Sequence, residues 1–155
     1  MNSEDRLTKL GLELPPPPKP AGVYKPVVVV GNLAYVSGHG PLKSDGSMII
    51  GKLTGEAGQV EIGQQAARQT GLAILATLRA NLKSLNHVRR LVKTLGMVNC
   101  TPDFKDHPAV INGFSNLMAE VFGPDNGVGA RSAVGMGSLP GGITVEIEAI
   151  FEIED

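Results

Sequence analysis

The chain has 155 residues, 42% of them apolar and 19% charged, with a formal net charge of −1. That is the length of one ordinary domain, able to bury roughly two-thirds of its unfolded surface. The charge is too balanced to draw it to nucleic acid or to an anionic membrane. A single cysteine, Cys100, excludes an internal disulfide and a cysteine-only zinc cluster, and fits a reducing compartment. The opening "MNSEDRLTK" is charged from its third residue and lacks the apolar core of a signal peptide. No apolar run is long enough to span a bilayer, so the expected location is cytoplasmic, with no membrane partner. Four Phe, two Tyr and no Trp are few rings for stacking on single-stranded nucleic acid.

In chain order, residues 3–11 predict a short helix with Ser3 as N-cap and Gly11 as its stop. "LPPPPKP" at 14–20 forbids helix and favours an extended polyproline arm. Residues 1–20 thus form a leader, ahead of a domain over 21–155. Val27–Val30 and Leu33–Ser37 are strand-like runs joined by Gly31-Asn32, a strong hairpin signal, and Pro26 places the first of them at a sheet edge. "KSDGS" at 43–47 is a turn, and "MIIGKL" after it suggests a further short strand. From 59 to 85 there is no proline, and Val60, Ala67, Leu75, Leu78, Leu82 and Leu85 share one helical stripe. Residues 87–99 read as a strand. Residues 107–123 read as a second long helix, with Pro108 in its first turn and Gly123 closing it.

The closing segment alternates cleanly. Ile143, Val145, Ile147, Ala149, Phe151 and Ile153 point one way, while Thr144, Glu146, Glu148, Glu152 and Glu154 point the other. The order of elements predicts an α+β sandwich, one mixed sheet with two helices on one face.

The usual chemical motifs are missing. "GHGPLKSDG" and "GMGSLPGG" lack the spacing of phosphate-binding loops, and no nucleophile elbow is present. His39, His87 and His107 have no ligand spacing, so neither a metal nor a cofactor is expected. Cys100 reads as a packed neutral residue rather than a nucleophile. An enzyme with this inventory would need an intrinsically reactive substrate.

Attention then falls on Arg131, whose guanidinium is a planar fork suited to a carboxylate. Counting by twos, it shares a strand face with Ala133, Gly135 and Gly137, a face bare enough for a ligand or a neighbouring backbone. Pairing with a surface acid is the plainer reading, and for Glu146 and Glu148 the plainer reading is a solvated strand face. If 139–142 were a tight hairpin, Glu146 would lie opposite Gly135, about 13 Å from Arg131 at about 3.3 Å per residue. Direct contact would then need a wider connection, a small molecule between them, or a neighbouring subunit.

Taken together, "ARSAVGMGSLPGGITVEIEA", "GVYKPVVVVGNLAYVSGHGPL" and "VINGFSNL" resemble the RidA/YjgF superfamily over about residues 20–153. The blocks stand in family order, and the resemblance is to a divergent subgroup. It implies a chorismate-mutase-like α+β fold assembled as a homotrimer with clefts between subunits. It also implies hydrolysis of reactive 2-imino acids, of the 2-iminopropanoate and 2-iminobutanoate class, to 2-oxo acids and ammonia. By matching position, Arg131 would grip the substrate carboxylate and Glu146 would orient or deprotonate the attacking water. Tyr24, Ser37 and Gly38 would line the cleft with Asn112 near it, and Ala133 would contribute its backbone. Ala133 stands where many members have Cys, and His39 where Gln is usual.

Three other readings stay open: a non-catalytic carboxylate-sensing protein using the same pocket, a structural trimer, and an endoribonuclease L-PSP-type activity. For the last, Arg68, Arg79, Lys83, Arg89, Arg90 and Lys93 would supply phosphate contacts, with no catalytic His or acid pair beside them.

Overall fold

The computed structural model describes residues 1–154. Its regular elements are α1 (Ser3–Lys9), β1 (Val27–Val30), β2 (Leu33–His39), α2 (Gln59–Leu82), β3 (Val88–Asn99), α3 (His107–Phe122), β4 (Ala130–Met136) and β5 (Val145–Ile153). The five strands form one mixed sheet in the order β1-β2-β5-β3-β4. Only β3 and β4 run parallel; every other neighbouring pair is antiparallel. Both long helices cover one face of the sheet, as the element order predicts.

The alternation of β5 produces that layering. Val145, Ile147, Ala149 and Phe151 are buried against the helices, whereas Glu146 and Glu148 face the other way. Because β5 is flanked by β2 and β3, its inward residues lie at the middle of the core. Helix α2 is buried almost all round from Ala73 to Leu78, since it packs on the sheet and side by side with α3. Gly113 lets α3 come that close: a Cβ built there would lie 2.1 Å from the carbonyl oxygen of Gln64 on α2.

Several expectations need correction. The N-cap of α1 is Asn2, not Ser3; its side chain accepts from the Asp5 N–H at 2.8 Å in a capping box, and Ser3 is buried instead. Residues 48–53 form no strand but three isolated bridges, from Met48, Ile50 and Leu53 to different partners, so no continuous ladder runs along them. Helix α2 ends at Leu82, where Lys83 turns left-handed (φ 72°), and Leu85 belongs to a separate turn of 3-10 helix. Thr144 does not share the face of the glutamates. It lies ahead of the regular strand and is buried, with its backbone bonded to Asn99 and Ile49.

Two substitutions check this account. Gly113→Ala forces backbone against backbone and is expected to lower unfolding stability by about 2 kcal/mol or more, measured by denaturant titration. Lys83→Gly relieves a left-handed residue at a helix end and is expected to raise stability by about 1 kcal/mol in the same measurement.

Candidate functional site

The site begins with an irregularity in β2. Val36 pairs with Ala149 and His39 with Ile147, so three steps along β2 match two along β5. The extra residue makes a bulge at Ser37 and Gly38, a device that re-aims a strand beside a functional surface. Three bonds hold the bulge. The Ser37 hydroxyl donates to the Lys25 carbonyl at 2.5 Å, and the Ser37 N–H donates to the Pro26 carbonyl at 2.9 Å. The His39 ring is buried, with Nδ1 2.6 Å from the Ser37 carbonyl and Nε2 2.7 Å from the Thr77 hydroxyl. A carbonyl can only accept, so Nδ1 carries the proton and Nε2 accepts from Thr77. Burial holds the His39 pKa below its ordinary value, which keeps this neutral arrangement.

Against the bulge lies Glu146. A Cβ on Gly38 would stand 2.1 Å from Glu146 Oε2, so the bare α-carbon of Gly38 is the seat of the carboxylate. Among the described residues neither Glu146 nor Glu148 has a salt-bridge partner. The Glu146 pKa is raised, first by desolvation and then by the charge of Glu148 on the same strand face. Both carboxylates open on a cleft of about 670 Å³, which Tyr24, Ser37 and Gly38 also line. Tyr24 is held by its own loop, its hydroxyl accepting from the Ala21 N–H at 3.1 Å.

Arg131, Asn112 and Ala133 are elsewhere. Strand β3 separates β4 from β5, so no tight hairpin joins them and Glu146 is level with Val134. Arg131 pairs with Thr94 and Ala133 with Gly96, which puts both on the helix-covered face, opposite to Glu146. Two strands across and three residues along, Arg131 starts about 10 Å from Glu146 in each direction. Its guanidinium is not waving in solvent. Nη1 donates to Asn112 Oδ1 at 2.8 Å and to Ser115 Oγ at 3.1 Å, and Nη2 donates to the Pro108 carbonyl at 3.4 Å.

The face beside Arg131 is less empty than expected. A Cβ at Gly135 would meet His107 Nε2 at 2.6 Å and Cys100 Sγ at 3.0 Å; only at Gly137 is the space open. Cys100 is buried, and desolvation raises its pKa, as suits a packed thiol rather than a nucleophile. Among the described residues no group of three His, Cys, Asp or Glu could hold a metal ion. No helix there is long and apolar enough to cross a membrane.

Sequence reasoning missed one wall of the cleft. Pro18, Lys19 and Pro20 of the leader line it, with Met48, Pro140 and Ile143. The proline run signals an extended arm, but nothing local says where such an arm lies.

Residues 4–139 match the family described as "YjgF/chorismate_mutase-like, putative endoribonuclease". The chain belongs to that family. It is 38% identical over 149 residues to Protein TCP17 of Trypanosoma cruzi, an alignment covering 96% of this chain and 92% of that protein. It is 30% identical over 144 residues to a 2-iminobutanoate/2-iminopropanoate deaminase of Dermatophagoides farinae, covering 92% and 95%. The crystal structure of Atu1372 from Agrobacterium tumefaciens, a protein of unknown function, superposes with a TM-score of 0.86 at 42% identity, over 99% of this chain and 92% of that one. Both carboxylates of the cleft lie beyond the span that matches the YjgF-like family description, but within the length these relatives cover.

The raised pKa of Glu146 has a stability consequence. Its ionised form is disfavoured in the folded chain, so folding is penalised above the folded-state pKa, and the penalty vanishes as pH falls below the unfolded value of about 4. Glu146→Gln is expected to melt higher than wild type near pH 8, with the difference closing toward pH 4 in thermal scans. A variant melting lower at pH 8 would show that the carboxylate has a stabilising partner.

Proposed function

We propose that the protein hydrolyses 2-imino acids to 2-oxo acids and ammonia in a cleft completed by a second copy of the chain. The observation that carries this reading is Glu146. A half-buried carboxylate with raised proton affinity, lacking an ion pair and seated on a bare α-carbon at a bulge, costs stability and has no structural task. It is suited to taking a proton from water.

The chemistry asks little more. In a protonated 2-imino acid, C2 is already electrophilic. Water held by Glu146 attacks C2 as its proton passes to the carboxylate, giving a tetrahedral 2-amino-2-hydroxy acid. Glu146 then returns that proton to the nitrogen. The C–N bond breaks as the hydroxyl gives its own proton back to Glu146 and becomes C=O, and the departing ammonia carries this proton away as ammonium. No oxidant or cofactor enters the balance. Orienting the substrate carboxylate is the remaining need, and Arg131 meets it with a guanidinium whose direction Asn112 and Ser115 fix.

Because Arg131 and Glu146 of one chain face opposite sides of the sheet, they serve one substrate only if they come from different subunits. Strand β4 is a sheet edge, where a neighbour can approach. The helix-free face of the sheet offers a surface for it: Val28, Tyr35 and Val134 are exposed there, and Val28 and Tyr35 line a second depression of about 480 Å³. A homotrimer with clefts between subunits fits these features. The similarity to the Dermatophagoides farinae deaminase supports the reaction class.

An RNA-cleaving reading has less support. Arg68 pairs with Glu120, Arg79 with Glu4, and both Arg89 and Arg90 with Glu152. Four of the six cations expected on phosphate are therefore engaged by carboxylates.

With 2-iminopropanoate generated in the assay, Glu146→Gln is expected to lose at least about 100-fold in kcat, and Arg131→Ala to raise KM sharply. Arg131→Lys would not restore affinity, since an ammonium lacks the fork. Mixing the two impaired variants, unfolding and refolding them together, is expected to restore part of the activity at low substrate concentration. Restoration demonstrates shared sites, and its absence in properly assembled mixed oligomers would overturn the two-subunit cleft.

A further inference from the structure

The leader is a built part of the cleft. Helix α1 is fastened to the body at several points. Glu4 pairs with Arg79 at 2.7 Å and accepts from the Leu85 N–H at 2.9 Å, and Leu7 is buried in the core. Leu12 and Leu14 pack on the core behind it, and Pro15 is buried. At the far end the Ala21 N–H bonds to the Tyr24 hydroxyl, while the Tyr24 N–H closes a tight turn on the Gly22 carbonyl at 3.1 Å. Between these fixed ends run four consecutive prolines, Lys19 and Pro20, a stretch that keeps one extended shape without internal hydrogen bonds. The wall it makes is therefore preformed and does not need to order when a ligand arrives.

Apart from Lys19, which stands between the two leader prolines, that wall is apolar. Pro18 and Pro20 come from the leader, Met48 from the loop after β2, and Ile143 and Pro140 from the segment entering β5. Met48 and Ile143 close over Gly40, where a Cβ would meet Ile143 Cδ1 at 3.0 Å and Met48 Sδ at 3.3 Å. Met48 remains 39% exposed, so it has apolar surface left to cover. The single chain leaves about 670 Å³ open here, a space that the substrate shares with the neighbouring subunit.

We infer that Pro18, Pro20, Met48, Pro140 and Ile143 form a specificity wall that selects 2-imino acids with long apolar side chains over 2-iminopropanoate. The inference rests on the hydrolase reading above and names the substrate class for it. C1 and C2 of the substrate lie between Arg131 of the neighbouring subunit and Glu146, and the side chain runs from C2 toward Met48 and the leader. Burying it against a rigid apolar wall stabilises the bound substrate and the transition state alike.

The test uses the full chain with imines produced in place by an L-amino-acid oxidase from alanine, leucine, methionine, phenylalanine and glutamate. The expected result is kcat/KM at least about tenfold higher for the leucine-, methionine- or phenylalanine-derived imines than for the alanine-derived one. Met48→Asp and Pro20→Asp are expected to collapse that ratio at least about tenfold, lowering the long substrates more than the short. Hydrolysis that is equal across the series, or best with the alanine- or glutamate-derived imine, overturns the wall and leaves the hydrolase reading standing. If none of the imines is hydrolysed, the hydrolase reading fails, and calorimetric binding of the matching 2-oxo acids decides the wall alone. Affinity rising with apolar length supports it; affinity equal or falling overturns it.

Discussion

The placement of β5 between β2 and β3 governs everything else in this molecule. Its apolar residues must be covered by two helices, so they fill the centre of the core, and strict alternation then sends Glu146 and Glu148 to the opposite face of the sheet. The crossover from β3 through α3 to β4 has a complementary effect. Strand β3 pairs with β5 on one side and with β4 on the other, so β4 is placed at the sheet edge with its Arg131 turned toward α3. Acid and guanidinium end up on two sides of one sheet because of how the strands are ordered.

That separation is the physical reason the proposed reaction calls on a second copy of the chain. The bulge at Ser37 and Gly38 shapes the ground beneath Glu146. It breaks the regular ladder where a side chain would collide with Glu146, and His39 locks the break from beneath without presenting a charge. Burial, and after it the charge of Glu148, give the carboxylate its raised proton affinity.

Much of this was legible in the chain. The alternation of residues 145–153, the Gly31-Asn32 hairpin and the two long helical stretches each carry their own local rule, and all appear in the fold. The resemblance to RidA/YjgF proteins rests on short blocks in a fixed order, and the family match agrees with it. The failures have local causes. Met48–Leu53 has strand-like composition, but its groups pair with three different segments, which no local pattern encodes. Asn2 outcompetes Ser3 as cap because Asp5 completes a reciprocal pair of bonds.

By itself the sequence determined most of the elements and the face that each residue of β5 takes, because periodicity and turn preference act over a few neighbours. The tertiary structure alone decided three things: that β3 comes between β4 and β5, that the bare α-carbon of Gly38 lies under Glu146, and that the proline leader becomes a wall of the cleft. Each depends on contacts between segments far apart in the chain, where packing of the whole core, rather than the preference of any residue, sets the distance.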